Sequence, residues 1–178
     1  MVVFSCSATT LTGTVARVID GDTAVIQPST NFAPFATFCK HSGVRIRLAD
    51  IDAPELRQPH GRESKRVLES LVLKKSVVIR WTKRDRYRRL IGTLQINGTN
   101  VNHLLVRRGH AWHYRRYSRS EQLAELQAKA KADRVGVWRD RQIIPPWQWR
   151  RKRRTCMRAL HSVKRKVRMP KRAVTKRY

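Results

Sequence analysis

Acidic residues are scarce in this chain. Only 12 Asp and Glu accompany 40 Lys and Arg, so the formal net charge is +28. A field of this sign attracts nucleic acid or an anionic membrane. Long apolar runs are also missing: none approaches the roughly 20 residues that a bilayer-spanning helix needs, and the basic residues form no amphipathic lipid-binding helix. The composition therefore favours nucleic acid as the polyanionic partner.

Cysteine is equally sparse. The three cysteines, Cys6, Cys39 and Cys156, are far apart and odd in number, which excludes a cysteine metal cluster and a complete disulfide framework. The opening MVVFSCSATT has no basic n-region, and its apolar run is too short for a secretory signal. We expect a secreted or cell-envelope protein if the chain lacks its true start, and a cytoplasmic protein otherwise.

Short strand patterns alternate with helical ones along the chain. Strands are predicted at 11–18, 22–28, 44–50, 76–82 and 89–98. Helices are predicted at 62–74, 99–111 and 119–134. Ser118 and Glu121 are expected to form a capping box for the last helix. This order predicts an α+β, mainly β fold: a five-stranded OB-type barrel with about three helices.

The charge distribution divides the chain into two parts. Residues 151–178 carry 13 Lys and Arg and no acid, so we expect a flexible basic tail that binds polyanions without sequence preference. Residues 11–150 have the length and apolar content of one folded domain.

Carboxylates are concentrated at two places in this basic chain. RIRLADIDAPELRQPHG, residues 45–61, contains Asp50, Asp52 and Glu55, and the hairpin near residue 20 contains Asp20 and Asp22. One interpretation makes them turn residues, helix caps or salt-bridge partners of arginines. The other is a hard divalent cation that bridges carboxylates to a phosphate. The residues alone leave both open.

Three blocks then carry a family resemblance. VIDGDT (18–23), RIRLADIDAPE (45–55) and DRYRRL (85–90) resemble, in this order, the signature blocks of the staphylococcal nuclease family. VNHLLVRRGHAW (101–112) and KADRVGVW (131–138) are similar to its later helical segments. The resemblance covers residues 12–138 and implies an OB-type barrel with three helices and a calcium-dependent nuclease.

The resemblance also implies a metal site. It places the calcium carboxylates on Asp22 and Asp52 and a further ligand on the backbone carbonyl of Ala53. Asp20 would lie in the outer shell of the metal. Mg²⁺ and Mn²⁺ remain alternatives, because hard oxygen ligands accept them too.

Catalytic and substrate-binding residues follow from the same resemblance. Glu55 matches the proposed general base, and Arg47 and Arg89 match the two phosphate-binding arginines, both expected to be exposed in a cleft. The resemblance implies substrate contacts for three tyrosines: Tyr87, Tyr114 and Tyr117.

Three further residues receive no catalytic or binding role from the resemblance. Arg88 stands where the family usually has Gly, which bears on the backbone of that turn. His110 and His113 receive no role, because neither has a partner set at metal-ligand spacing and the family uses neither.

The leading hypothesis is a monomeric, Ca²⁺-dependent nuclease that hydrolyses phosphodiester bonds of DNA and/or RNA with little sequence specificity and leaves 3′-phosphate ends. The alternative is a noncatalytic nucleic-acid-binding module on the same barrel. A ribosomal-like structural protein would explain the tail but would leave the acidic blocks without a purpose.

Overall fold

The computed structural model describes residues 9–29 and 43–155. Its strands are β1 Thr9–Asp20, β2 Thr23–Pro28, β3 Val44–Leu48, β4 Ile51–Asp52, β5 Ser76–Arg84, β6 Leu90–Ile96, β7 Thr99–Asn100 and β8 Trp112–His113. Its helices are α1 Gly61–Val72, α2 Val101–Arg107, α3 Glu121–Ala132 and a 3₁₀ helix Gly136–Arg139, and residues 146–155 are also helical.

Five strands close into a barrel. β1 pairs antiparallel with both β2 and β5, β2 pairs with β3, and β5 pairs with β6. The parallel pairing of β3 with β6 completes the circuit. The predicted OB-type barrel in a mainly β, α+β fold is therefore confirmed.

The alternating pattern of the strands explains the core. On β1, Leu11 and Val15 are buried while Thr12 and Thr14 are exposed, since successive side chains point to opposite faces of a strand. Register shifts after Val15 and after Val18 bend β1 so that it can pair along both edges. The barrel interior is filled by inward aliphatic side chains: Val15, Ala24, Ile26, Ile46, Leu48, Ile79, Leu90 and Leu94.

Helix α2 fixes the end of β3, where the acidic segment begins. Asn102 is buried on this helix, and its Oδ1 accepts from the Leu94 amide over 3.1 Å. Its Nδ2 donates to the carbonyl of Ala49 over 2.9 Å. One buried amide thus ties α2 to β6 and to the residue that precedes Asp50.

The capping prediction for α3 was wrong by two residues. Ser120 is the N-cap, and its hydroxyl accepts from the Leu123 amide over 3.2 Å. Ser118 lies in the preceding turn, where its hydroxyl accepts from the Ser120 amide over 3.3 Å. An N-cap side chain accepts from amides two or three residues later, and from Ser118 these are the amides of Ser120, which precedes the helix, and of Glu121, its first residue.

The described residues fall into two compact units, one ending at Pro146 and the other beginning at Trp147. Residues 30–42, between the predicted second and third strands, lie outside the described residues, and so does the tail beyond residue 155. In the described ranges, no helix combines the length and the apolar character that crossing a membrane requires.

Candidate active site

The β1–β2 hairpin holds Asp20 and Asp22 beside the end of β3. Asp20 ends β1, and Asp22 lies in the turn before Thr23. The Asp22 amide donates to Oδ1 of Asp20 over 3.1 Å, and its carbonyl accepts from the Leu48 amide over 2.8 Å. The hairpin expected near residue 20 is confirmed, with Gly21 and Asp22 between the paired Asp20 and Thr23.

A positive φ of 65° at Asp50 turns the chain from β3 into β4. This turn carries Asp52 inward, where it is buried and pairs with Trp112 of β8. The next residue, Ala53, is buried as well, and its amide donates to Oδ2 of Asp22 over 2.7 Å. The acidic segment and the hairpin are therefore in direct contact, although some 30 residues separate them in sequence.

One guanidinium bridges the two predicted metal carboxylates. Arg47 points outward from β3, with Nη1 3.1 Å from Oδ2 of Asp22 and Nη2 3.0 Å from Oδ1 of Asp52. Nη1 also donates to the carbonyl of Leu48 over 2.8 Å. The salt-bridge interpretation of these aspartates is thus correct in this structure.

The cluster still has an excess of negative charge. Burial raises the pKa of Asp20 to about 7, and the neighbouring charge of Asp22 adds to the rise. Asp20 is therefore only partly ionised at neutral pH, while the carboxylates of Asp22 and Asp52 stand against the single positive charge of Arg47. Oxygen donors with uncompensated charge are the kind that hard divalent cations prefer, so the donor set fits such an ion. Among the described residues, however, no group of three or more His, Cys, Asp or Glu is arranged as a ready metal site.

Glu55 follows in a loop that Gln58 closes. The Glu55 amide donates to Oε1 of Gln58 over 3.2 Å, and the Gln58 amide donates back to the Glu55 carbonyl over 2.8 Å. Gln58 is buried, and its Nε2 donates to the carbonyl of Ile144. A Cβ at Gly61 would collide with the Glu55 carbonyl oxygen, so the tight packing of this loop requires glycine there.

Arg89 lies at the end of a tight turn between β5 and β6. Hydrogen bonds of Asp85 hold this turn together. Oδ2 of Asp85 lies 2.8 Å from Nε and 2.7 Å from Nη2 of Arg89. Oδ1 accepts from the amides of Tyr87 and Arg89, each over 2.9 Å. Arg88 has a φ of 63°, the left-handed conformation that glycine adopts most readily.

The pairing of β3 with β6 relates the two arginines. Arg47 lies opposite Ile91 in this parallel pair. Arg89 precedes Ile91 by two residues, and side chains two residues apart share a face. Arg89 is therefore diagonally across from Arg47 on the outer face of the barrel.

The three predicted substrate tyrosines form two groups. Tyr87 is exposed and packs with the guanidinium carbons of Arg86 and Arg89, which lie 4.8 and 5.5 Å from its ring centroid. Tyr114 and Tyr117 meet edge to face with centroids 4.9 Å apart. The Tyr114 amide donates to the Asp50 carbonyl over 2.8 Å, which places this second group beside β4.

Two arginines and two histidines are largely shielded from solvent. Arg47 and Arg89 were expected to be exposed, but their side chains are only 14% and 23% exposed, because aspartates hold both of them. His110 and His113, to which no role was assigned, are buried, and burial lowers the pKa of both.

Sequence reasoning missed Asp85 and Gln58. Asp85 belongs to DRYRRL, four residues before Arg89, and Gln58 follows Glu55 by three residues. Those short spacings were the available signal, since a polar side chain can fold back onto a neighbouring loop amide at this distance.

Comparison with known proteins identifies the family. Residues 45–140 match the family described as staphylococcal nuclease homologue. An "Uncharacterized endonuclease" of Escherichia coli O157:H7 is 40% identical over 142 residues, which cover 79% of this chain and 86% of the relative. The chain belongs to the staphylococcal nuclease family.

Two further relatives agree with this membership of the staphylococcal nuclease family. An "Uncharacterized endonuclease" of Haemophilus influenzae is 34% identical over 156 residues, covering 88% of this chain and 82% of the relative. The "Micrococcal nuclease" of Shigella flexneri is 35% identical over 150 residues, covering 78% of this chain and 80% of the relative. The match to the family begins at Arg45 and so includes Arg47, Asp52, Glu55 and Arg89.

Proposed function

We propose that this chain is an endonuclease that hydrolyses phosphodiester bonds of DNA and/or RNA with little sequence specificity. Membership of the staphylococcal nuclease family supports a nuclease, as do relatives whose names include endonuclease and micrococcal nuclease. The net charge of +28 suits a polyanionic substrate. Dependence on Ca²⁺, 3′-phosphate products and a monomeric state are the finer parts of the proposal.

The aspartate cluster is the proposed metal site. Asp22 and Asp52 would hold Ca²⁺ with their carboxylates and Ala53 with its carbonyl, while Asp20 would lie in the outer shell. When bound, a divalent cation supplies positive charge to a phosphate oxygen. Mg²⁺ or Mn²⁺ would suit the same oxygen donors.

The protein side chains have separate roles in the proposed reaction. Arg47 and Arg89 bind oxygens of the scissile phosphate, and their hydrogen bonds strengthen as negative charge develops there. Glu55 orients a water molecule and accepts its proton as the new oxygen–phosphorus bond forms. The bond from phosphorus to the 5′-oxygen breaks, and that oxygen leaves and takes up a proton. The phosphate stays on the 3′-oxygen.

Substrate contacts extend beyond the reacting phosphate. Tyr87, Tyr114 and Tyr117 are proposed to contact the strand, since aromatic rings among arginines suit unpaired bases and backbone. The ring of Tyr117 is exposed and lies 5.8 Å from the guanidinium carbon of Arg116, a typical arrangement for such a surface.

One observation supports this proposal most directly: Arg47 contacts Asp22 and Asp52 together, and Arg89 immediately precedes β6, the strand that pairs with β3. The two proposed phosphate-binding arginines are therefore carried by paired strands, and one of them contacts both proposed cation-binding carboxylates. Supercoiled plasmid incubated with the purified protein provides the test. We expect nicking and then linearisation with Ca²⁺, and no cleavage with EGTA.

Arg89→Ala should slow cleavage about 10²–10³-fold, the loss seen when one preorganised donor is removed. Arg45→Ala is the matched control, because Arg45 is exposed on β3 two residues from Arg47. Cleavage that is indifferent to metal would overturn the metal dependence. Binding of plasmid without cleavage would favour the noncatalytic module, in which Arg47, Asp22 and Asp52 form only a structural ion pair.

A further inference from the structure

The turn at residues 85–89 contains a carboxylate that the proposed reaction does not use. Asp85 lies two residues before Tyr87 and four before Arg89. Neither cation binding nor proton transfer has been assigned to it, yet both its side chain and its backbone bind Arg89. Its surroundings show what it does there.

Asp85 fixes the backbone of the turn first. Its Oδ1 accepts from the amides of Tyr87 and Arg89, each over 2.9 Å. The Asp85 amide donates to the Arg89 carbonyl over 2.9 Å, and its carbonyl accepts from Arg88 over 2.9 Å. These four bonds close the turn and set the direction in which the Arg89 side chain leaves the backbone.

Asp85 then fixes the guanidinium itself. Oδ2 lies beside the Nε and Nη2 atoms of Arg89, at 2.8 Å and 2.7 Å, and accepts hydrogen bonds from this side of the guanidinium. A guanidinium has five N–H donors, so this pair leaves three for another acceptor, including both on Nη1. An arginine can bind a phosphate through its two Nη atoms, so the contact with Asp85 is compatible with phosphate binding. The same contact restricts the rotamers from which Arg89 can bind the phosphate.

The electrostatics agree with this geometry. Partial burial raises the pKa of Asp85, but hydrogen bonds from the Arg89 side chain and amide outweigh it and hold the pKa below its usual value. The carboxylate is therefore ionised at neutral pH. The Tyr87 ring restricts the same guanidinium further, its centroid 5.5 Å from the guanidinium carbon of Arg89.

We propose that Asp85 is the positioning residue for Arg89: its carboxylate holds the guanidinium where the scissile phosphate develops charge. The inference rests on the proposed nuclease function. Asp85 does not touch the substrate, and its whole effect on the reaction passes through Arg89. Removing it would leave Arg89 charged but free to adopt several rotamers.

A double-mutant cycle tests this directly. The variants are Asp85→Asn, Arg89→Ala and the two combined, with kcat and KM measured on plasmid or single-stranded DNA. We expect Asp85→Asn to lower kcat about 10- to 100-fold, the scale for loss of alignment at a reacting group, with little change in KM. In the Arg89→Ala background the same change should have no further effect.

Two controls separate positioning from general stability. Asp133→Asn removes a different and more exposed ion pair, to Arg107 at 2.9 Å, and should leave kcat unchanged. Asp85→Glu keeps the charge and should recover part of the lost kcat. If Asp85→Asn does not fold, Asp85→Ser takes its place, since a hydroxyl can accept the amide bonds of the turn without reaching the guanidinium.

The outcomes are distinguishable. Equal losses of kcat in both backgrounds would show that Asp85 acts independently of Arg89 and would overturn the inference alone, as would a parental kcat in Asp85→Asn. A parent protein that cleaves no nucleic acid would overturn the proposed function and the inference with it.

Discussion

The guanidinium of Arg47 lies 3.0 Å from the buried carboxylate of Asp52 and 3.1 Å from that of Asp22. The same side chain is proposed to bind phosphate, and the same carboxylates are proposed to bind a cation. Without a cation, Arg47 is therefore the counter-ion of the proposed metal site. Cation and arginine compete for these oxygens, so metal binding would make Arg47 available to the phosphate.

Arg47→Ala tests this competition. Breaking a buried ion pair leaves charge uncompensated, so we expect the free energy of unfolding to fall by about 3–5 kcal/mol in the absence of metal. Ca²⁺ should then bind the variant more tightly than the parent and raise its unfolding temperature more. Titration calorimetry and thermal unfolding with and without Ca²⁺ measure both effects, with Arg45→Ala as the control. Weaker Ca²⁺ binding by Arg47→Ala would contradict the competition.

Arg88→Gly tests the backbone of the turn that carries Arg89. Arg88 has a φ of 63°, and the left-handed conformation costs an ordinary residue about 1–2 kcal/mol. Relief of this strain by glycine should therefore raise the free energy of unfolding by about 1 kcal/mol. The larger conformational entropy that glycine gives the unfolded chain reduces this gain. Urea unfolding measures the change, and a destabilised Arg88→Gly would show that the Arg88 side chain contributes more than its conformation costs.

His60 is expected to make stability depend on pH. Its Nε2 lies 2.8 Å from Asp140 and its Nδ1 lies 3.1 Å from Glu63. Burial lowers the pKa of His60, but these hydrogen bonds outweigh it and raise the pKa above 6.5. The protonated form is thus favoured by folding. Its contribution is complete below pH 6.5 and is lost as pH rises through the folded-state pKa.

The variant His60→Asn isolates this contribution, because Asn tolerates the positive φ of 64° at this position. From about pH 6 to about pH 8.5, the change in the unfolding free energy should be more destabilising in the parent than in the variant by the contribution of His60. His110 and Arg139 also face Glu63, but they are present in both proteins. An identical pH dependence in parent and variant would exclude the role of His60.

Basic residues of the last described helix are expected to act on binding alone. Arg151, Lys152, Arg153 and Arg154 are exposed. Changing all four to Gln should raise KM and flatten the salt dependence of binding by up to about 0.9 in log–log slope for each phosphate that the helix no longer neutralises. The kcat should stay the same. A lower kcat with unchanged KM would place this helix in the chemistry instead.

Much of the fold could be predicted because its signals are local. The Asn97-Gly98 turn after β6 specifies a hairpin through backbone conformations that few residues adopt, and the φ values of 48° and 76° at Asn97 and Gly98 agree. Alternating burial along β1 follows the alternation of its sequence. The two-residue strands β4, β7 and β8 were missed, since two residues carry no periodicity.

The candidate site was predicted by position but not by partner. The aspartates and arginines were assigned from the family resemblance, whereas the pairing of Arg47 with Asp52 depends on how β3 and β4 meet in space. The same limit explains why Asp85, although it belongs to DRYRRL, received no role. A side chain's choice among several nearby cations and amides is decided by packing, which sequence spacing alone does not determine.

Ca²⁺ titration of the parent against Asp52→Asn tests the central claim most directly, namely that Asp22 and Asp52 share one cation. Measured by titration calorimetry, we expect one bound Ca²⁺ per parent chain and no Ca²⁺ binding to Asp52→Asn. The control Asp133→Asn should bind Ca²⁺ as the parent does. Equal binding by parent and Asp52→Asn, or no binding by the parent while it still cleaves DNA, would contradict it.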